Sequence, residues 1–178
     1  NPEVVQKTIE TQGQNLLQGM DRMLKDIHDG YSFPLMRQVE QGAFEVGKDL
    51  AVTPGEVIFR NDLIELIHYT PMTDEVQATP VLVIPPWINK YYILDMRPDN
   101  SYVRWMLEQG LNVYMVSWIN PDERHRHLEF KDYMQDGVLA ALDQVEKSNP
   151  QSKSTHMIGY CIAGTLLAMT LSYMQEQG

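Results

Sequence analysis

The chain has 178 residues, of which 43% are hydrophobic and 21% charged, enough for one domain with its own core. Its formal net charge of -10 argues against nonspecific nucleic-acid binding, and no apolar run reaches the roughly 18 residues a membrane span needs. The single cysteine excludes an internal disulfide and fits a reducing cytoplasm.

From Pro2 to His28 the apolar residues Val5, Ile9, Leu16, Met20, Met23, Leu24 and Ile27 make one helical stripe, which Asp29-Gly30 ends. Residues 31–50 read as loop with one short helix. After Thr53-Pro54-Gly55 the pattern changes. Glu56 to Arg60 and Leu63 to Thr70 are β-rich runs around Asn61-Asp62, a hairpin. Pro71 to Thr79 is a polar loop, and Pro80 to Ile84 is a continuous apolar run, the mark of a strand buried on both faces. A helix follows from Asn100 to Glu108, then a second apolar strand from Asn112 to Trp118. The polar loop Ile119 to His127 leads to a helix over Phe130 to Glu146. Thr155 to Tyr160 is a third buried strand, turning sharply into a helix from Ile162 to Gln175. Strands alternating with helices predict parallel pairing through right-handed crossovers.

Gly159-Tyr160-Cys161-Ile162-Ala163-Gly164 falls between the last strand and the last helix. That is the setting of a nucleophile elbow, in which a strained turn lifts a nucleophile above the sheet edge. Small residues flank it at Gly159 and Ala163, although the usual pattern has glycine at the second place. The helix end after Cys161 favours negative charge, and the Ile162 N–H can serve as one oxyanion donor. A buried structural cysteine is the competing reading. A second donor in such a site comes from the loop after an earlier strand, here Pro85-Pro86-Trp87-Ile88-Asn89-Lys90. The prolines have no N–H, which leaves Trp87 and Ile88 as the first available donors; a rigid turn with a buried Trp is the alternative.

No histidine is well placed to activate Cys161. His156 precedes it by roughly 16 Å along a strand and points to the other face. His28 ends a helix and His68 lies in the hairpin. His125 and His127 occupy a loop beyond a parallel strand, where a base, a His-x-His metal fragment or a solvated loop are all open readings, with no third ligand at useful spacing. An anionic substrate needs a local basic site in so acidic a chain; the nearest cations are Lys90, Arg97, Arg104, Arg124 and Arg126.

Four segments carry a family resemblance: Thr53-Pro54-Gly55; Pro85-Pro86-Trp87-Ile88-Asn89-Lys90-Tyr91-Tyr92-Ile93-Leu94-Asp95; Ser117-Trp118-Ile119-Asn120-Pro121; and Gly159-Tyr160-Cys161-Ile162. From about residue 40 onward the chain resembles polyhydroxyalkanoate (poly-beta-hydroxybutyrate) synthases, most strongly the single-subunit, short-chain type. The first 40 residues match loosely, like the helical region before the catalytic domain. The resemblance implies an α/β fold, the N-terminal half of an α/β-hydrolase (hairpin, then parallel βαβαβ with a nucleophile elbow) over residues 51–178, preceded by a helical segment over 1–50. It implies an acyltransferase polymerising (R)-3-hydroxyacyl-CoA with release of CoA, and no cofactor beyond the CoA of the substrate. Cys161 matches the nucleophile, and Ile88 and Ile162 match the backbone oxyanion donors. Trp87, Asn89, Tyr91, Tyr92, Asp95 and Ser101 are the expected substrate-binding residues, and no metal is expected. Ala163 stands where the family usually has glycine, and Ile119 where it often has arginine. The Asp and His partners lie beyond Gly178 in such enzymes, so the chain is expected to be a truncated N-terminal part, inactive alone. Expected partners are the growing polyester granule in the cytoplasm and a second copy in a homodimer. Two other readings stand beside this one. One is a cysteine-dependent hydrolase of the dienelactone type, which shares the elbow but not the 85–95 segment. The other is an interaction or dimerisation module built on the first amphipathic helix.

Overall fold

The computed structural model describes residues 1–31, 37–40 and 42–178. By contacts the chain divides into two units, Asn1–Ala43 and Phe44–Gly178.

In the first unit the single expected helix is two, α1 (Pro2–Glu10) and α2 (Gln14–His28). The apolar spacing continues in phase across the break. The interruption is made by the backbone, with Gln12 at φ 51° and Gly13 at φ 85°, a left-handed pair that no helix interior contains. Thr11 Oγ1 then donates to Asn15 Oδ1 at 2.9 Å and Asn15 Nδ2 donates to Thr8 Oγ1 at 3.1 Å, tying the helix ends together. Gly30 at φ 91° ends α2, and the Tyr31 N–H returns to the Asp26 carbonyl at 2.9 Å. The short helix expected within 31–50 falls partly on residues outside the described ones; the described part carries turns and an isolated bridge between Val46 and Leu50.

The second unit is mixed α/β. An antiparallel hairpin, β1 (Gly55–Arg60) and β2 (Ile64–Tyr69), turns at Asn61, whose side-chain oxygen accepts from the backbone N–H groups of Leu63 and Ile64 at 2.9 and 2.8 Å. β3 (Val81–Ile84) leads through a 3-10 turn (Tyr91–Leu94) into a small hairpin, β4 (Asp95–Arg97) and β5 (Asn100–Ser101). The sequence pattern did not announce that hairpin, and it delays the start of α3 (Tyr102–Glu108) to Ser101, which caps it by accepting from the Arg104 N–H at 2.9 Å. Then come β6 (Val113–Trp118), a 3-10 turn at Glu123–His125, and one continuous helical rod. The rod is α4 (Phe130–Asp132), a π-helical stretch (Tyr133–Leu139) and α5 (Ala140–Ser148). β7 (His156–Gly159) and α6 (Ile162–Gln177) complete the order.

Among the described residues the main sheet runs β1-β2-β6-β3-β7, with β6, β3 and β7 parallel and β2 antiparallel to β6. Position in this order explains burial. β3 lies between two parallel neighbours and its four residues are buried, as the unbroken apolar run requires. β7 was expected to be equally buried but lies at the edge, so His156 is exposed and Met157, Ile158 and Gly159 only half-buried. Two apolar clusters form on the sheet. One gathers Leu66, Leu82, Ile84, Val116 and Trp118 with Val138, Ala141 and Leu166 from the helices, and the other packs Val83, Val113 and Met115 against Val103, Met106 and Leu107 of α3.

Trp118 is the tightest point of the larger cluster. A Cβ placed on Gly137 would stand 2.5 Å from two ring carbons of Trp118, so the rod approaches the indole as closely as a bare backbone allows. The ring cannot swing aside, because its Nε1–H donates to the Pro85 carbonyl at 2.6 Å. Gly137→Ala gains about 1 kcal/mol of helix propensity, but the forced overlap costs about 1–3 kcal/mol. A net loss of up to about 2 kcal/mol is expected, read as a lowered urea midpoint with unchanged slope.

Candidate functional site

β3 and β7 pair in parallel with Ile84 opposite Gly159, and the Tyr160 N–H donates to the Ile84 carbonyl at 3.0 Å. Two chain reversals therefore leave the same edge of the sheet from adjacent strands: the loop opening at Pro85 and the turn at Cys161. The carboxyl end of parallel strands is where sites form in open α/β sheets.

Cys161 has φ 58° and ψ −129°, a conformation that residues with a Cβ rarely adopt, and it is exposed as the cap residue of α6. The turn is closed by the Ala163 N–H donating to Tyr160 O at 3.2 Å and the Gly164 N–H donating to Cys161 O at 2.9 Å. Ile162 is the first residue of α6, so its N–H has no carbonyl one turn behind it and points out of the helix end. The requirement for small residues is real but differently placed from the sequence expectation. A Cβ on Gly159 would come within 2.7 Å of both the Ala163 carbonyl oxygen and the Gly164 Cα, so the close pair is Gly159 with Gly164. Ala163 is fully buried in the core cluster, where a methyl is accommodated.

The 85–90 loop is held from below and free above. Pro85 and Pro86 are buried, Trp87 is half-buried, and Ile88 is 70% exposed with Asn89 and Lys90 exposed beside it. Trp87 packs on Tyr133 (4.9 Å between centroids), Trp118 (6.1 Å) and Phe130 (6.3 Å). Lys90 Nζ donates to Asn120 Oδ1, a second tie from this loop to the end of β6.

Of the expected substrate-binding residues, Tyr91 and Tyr92 stack edge to face at 5.6 Å and line a cleft of about 470 Å³ with Lys90, Asn120, Ser117 and Arg60. A neighbouring cleft of about 610 Å³ is lined by Asn61, Arg124, His125 and Asp136. Neither cleft is lined by Cys161, so these two hollows and the strained thiol are separate features. Asp95 and Ser101 lie together below the surface. Asp95 is 1% exposed, and its Oδ1 accepts from Thr53 Oγ1 and Ser101 Oγ, both at 2.6 Å. Its Oδ2 and the Tyr69 hydroxyl are buried without a hydrogen-bond partner among the described residues. Burial and then the Asp95 charge push the Tyr69 phenol far above its ordinary range, and the same two causes, in the same order, raise Tyr91. Both phenols thus stay protonated beside a buried carboxylate.

The histidines have other partners. His68 stacks on Tyr114 at 4.3 Å and meets Asn112 Oδ1 at 2.9 Å through Nε2. His125 Nδ1 accepts from the Asp122 N–H at 3.0 Å, and His127 Nε2 contacts Arg126 Nε at 3.1 Å. Among the described residues no group of three His, Cys, Asp or Glu could hold a metal ion. Arg104 pairs with Glu108 at 2.8 Å and Arg124 with Asp122 at 2.7 Å, which holds the Asp122 carboxyl well below the usual range. Ile119 packs against the larger core cluster.

The sequence places Gly164 in the elbow segment and Trp118 in a family segment without showing what either packs against, and Gly137 was missed altogether. The available signal was Gly137 itself, a glycine inside a helical stretch, which is destabilising unless something needs the space.

Two substitutions test this geometry. Gly159→Ala places a methyl on the Ala163 carbonyl and the α6 backbone, neither of which can yield cheaply; a loss of about 2–4 kcal/mol in denaturant unfolding is expected. Ser101→Ala removes both the α3 cap and one partner of Asp95, and is expected to lower stability by about 1–3 kcal/mol in the same assay.

Comparison with known proteins bears on the whole chain. The family model described as "Poly-beta-hydroxybutyrate polymerase (PhaC) N-terminus" matches residues 1–106, starting well before the motif segments. A poly(3-hydroxyalkanoate) polymerase of Methylorubrum extorquens is 48% identical over the full chain, which covers 29% of that protein. Polymerase subunits PhaC of Rhizobium etli (42% identical, 97% of this chain and 27% of theirs) and Cupriavidus necator (38%, 100% and 29%) align similarly. The chain thus spans about three tenths of the length of the relatives it matches. On this evidence the chain belongs to the poly-beta-hydroxybutyrate polymerase (PhaC) family and corresponds to its N-terminal part.

Proposed function

We propose that this chain is the nucleophile-bearing part of an acyltransferase that polymerises (R)-3-hydroxyacyl-CoA into polyhydroxyalkanoate, with Cys161 holding the growing polyester as a thioester. The observation that carries the reading is the conformation of Cys161: a solvent-facing thiol at φ 58° between a parallel strand and a helix. Strain of this kind persists only where surrounding structure enforces it, and it clusters at reactive sites. The hairpin followed by parallel strands, with the sharp turn after the last of them, supports an α/β-hydrolase N-terminal half.

In this mechanism the Cys161 sulfur attacks the thioester carbonyl of the substrate. The carbonyl electron pair moves onto oxygen, where the Ile162 and Ile88 N–H groups receive it. Collapse expels CoA sulfur, which takes the proton given up by Cys161, and leaves the acyl group on the enzyme. One thioester is exchanged for another at little free-energy change, so the acyl group remains activated for attack by the 3-hydroxyl of another unit. A serine ester would lose that activation. No cofactor is needed beyond the CoA that the substrate carries. The proton carrier and its acidic partner follow the nucleophile in chain order in this architecture and belong to the rest of the polymerase. Trp87, Tyr91 and Tyr92 would wall off water, Asn89 would meet the acyl chain, and Asp95 with Ser101 would hold the 91–101 segment from beneath. Lys90, with no carboxylate partner among the described ion pairs, offers a cation to the CoA phosphates.

A second reading applies to the first unit. Val5, Ile9, Leu16, Leu17, Leu24 and Ile27 are all about half or more exposed on α1 and α2, and the buried residue there is Asp26. Such a stripe favours a contact role for that segment, with the granule surface or a second copy as the occupant.

The test is intact mass of a full-length polymerase carrying this segment, incubated with (R)-3-hydroxybutyryl-CoA beside its Cys161→Ser variant. The expected result is an acyl adduct on the unsubstituted enzyme only, with CoA released and insoluble polymer formed. Free 3-hydroxybutyrate without polymer would point instead to a hydrolase. Absence of adduct and CoA release in both would leave the contact role as the function of this segment.

A further inference from the structure

We infer that Trp118 is a positioning residue for acyl transfer: its indole N–H sets the height of the Pro85–Lys90 loop and thereby aims the Ile88 N–H at the oxyanion. This inference rests on the proposed roles of Cys161 and Ile88. Trp118 touches no reacting atom. It works through the Pro85 carbonyl, the first acceptor after β3, at 2.6 Å.

Three observations carry the assignment. The bond is buried, since Trp118 is 8% exposed and Pro85 is buried, so water does not compete for either group. The indole is clamped from the opposite side by Gly137, where even a methyl would overlap it at 2.5 Å. Gly137 lies in the π-helical stretch, and such stretches recur at functional sites because they shift one segment of a helix against its neighbours. Finally, the loop needs an external anchor. Its first two residues are prolines, which cannot donate, so the segment before Ile88 makes no backbone hydrogen bonds of its own through those nitrogens. The rod, the indole and the proline carbonyl form one stack from helix to loop. A displaced oxyanion donor is a strong lever on rate, since misplacement by about 1 Å can lower it on the order of 100-fold.

A structural role and a positioning role predict different pairs of rates. Acylation of Cys161 by a thioester passes through an oxyanion; alkylation of the same thiol by iodoacetamide is a displacement at a CH₂ carbon and does not. In a full-length polymerase carrying this segment, Trp118→Phe keeps a ring in place and deletes the N–H. Site-specific β-(3-benzothienyl)alanine at position 118 replaces that N–H by sulfur at nearly constant shape, and serves where the phenylalanine variant fails to accumulate folded. For both we expect kcat for CoA release from (R)-3-hydroxybutyryl-CoA to fall on the order of 10-fold or more. KM and the iodoacetamide rate are expected to remain within about twofold, since neither depends on the oxyanion. Equal loss of acylation and alkylation would overturn the inference and make Trp118 a packing residue. Unchanged acylation would overturn it as well. Polymer formation by Cys161→Ser would instead refute the Cys161 reading, an outcome separate from either of these.

Discussion

A single buried hydrogen bond, from the Trp118 indole to the Pro85 carbonyl, links the parts of the second unit that have to agree with one another. Trp118 ends β6, Pro85 follows β3, and the six-membered ring of the indole meets Gly137 in the helical rod. Strand, loop and helix are therefore fixed by one side chain. An unpaired indole N–H or proline carbonyl at that depth would cost about 1–3 kcal/mol, so the bond is strongly specified. The aromatic surround of Trp87, Tyr133 and Phe130 adds edge-on contacts through Trp87 and tilted ones through Tyr133. Everything the 85–95 segment presents to solvent, from Ile88 to Tyr92, starts from that fixed point.

The elbow at Cys161 obeys a complementary constraint. A residue with a Cβ at this φ and ψ costs about 1–3 kcal/mol, and that strain is held by the elements on either side. Tyr160 is pinned to β3 by its N–H bond to Ile84, while α6 is pulled against β7 until Gly159 and Gly164 nearly touch. Neither element can relax without giving up sheet or core contacts: Leu166 and Ala163 of α6 are fully buried against the cluster that also holds Ile84. The two glycines are thus a packing requirement, and the exposed thiol is its consequence.

Legibility in the sequence followed the locality of the cause. The β1–β2 hairpin, the buried β3 and the turn at Cys161 were readable because each is encoded by neighbours: Asn61 bonding two residues on, four consecutive apolar residues, small residues around the thiol. The break between α1 and α2 was not, since Leu16 follows Ile9 at a helical spacing and only Gly13 hints at a change of conformation. Burial of β7 was overestimated because Met157 and Ile158 are apolar whether or not a strand covers them. The π-helical stretch and the β4–β5 hairpin depend on what packs against them, Trp118 in one case and the Asp95 cluster in the other. Of the candidate site, the thiol and both flanking loops were legible, whereas the separation between Cys161 and the two clefts was a property of the folded surface.

The Asp95 cluster shows how a buried polar group can hold a surface segment from beneath. Asp95 Oδ1 collects hydroxyls from Thr53 and Ser101, and its backbone carbonyl accepts the Ala51 N–H at 2.8 Å. Three separate stretches of chain, around residues 51–53, 95 and 101, converge on one buried carboxylate. Its remaining oxygen and the Tyr69 hydroxyl are both unpaired among the described residues, and burial with the Asp95 charge keeps that phenol protonated. Removing one member of a buried charged network leaves the others uncompensated and is strongly destabilising. The segment it restrains runs from Tyr91 to Ser101, directly after the loop that Trp118 anchors. The Trp118 bond and the Asp95 cluster therefore act in series, one setting where the loop leaves β3 and the other where it returns to α3. Between these fixed ends Ile88 and Asn89 stand exposed, and Lys90, also exposed, is tied to Asn120.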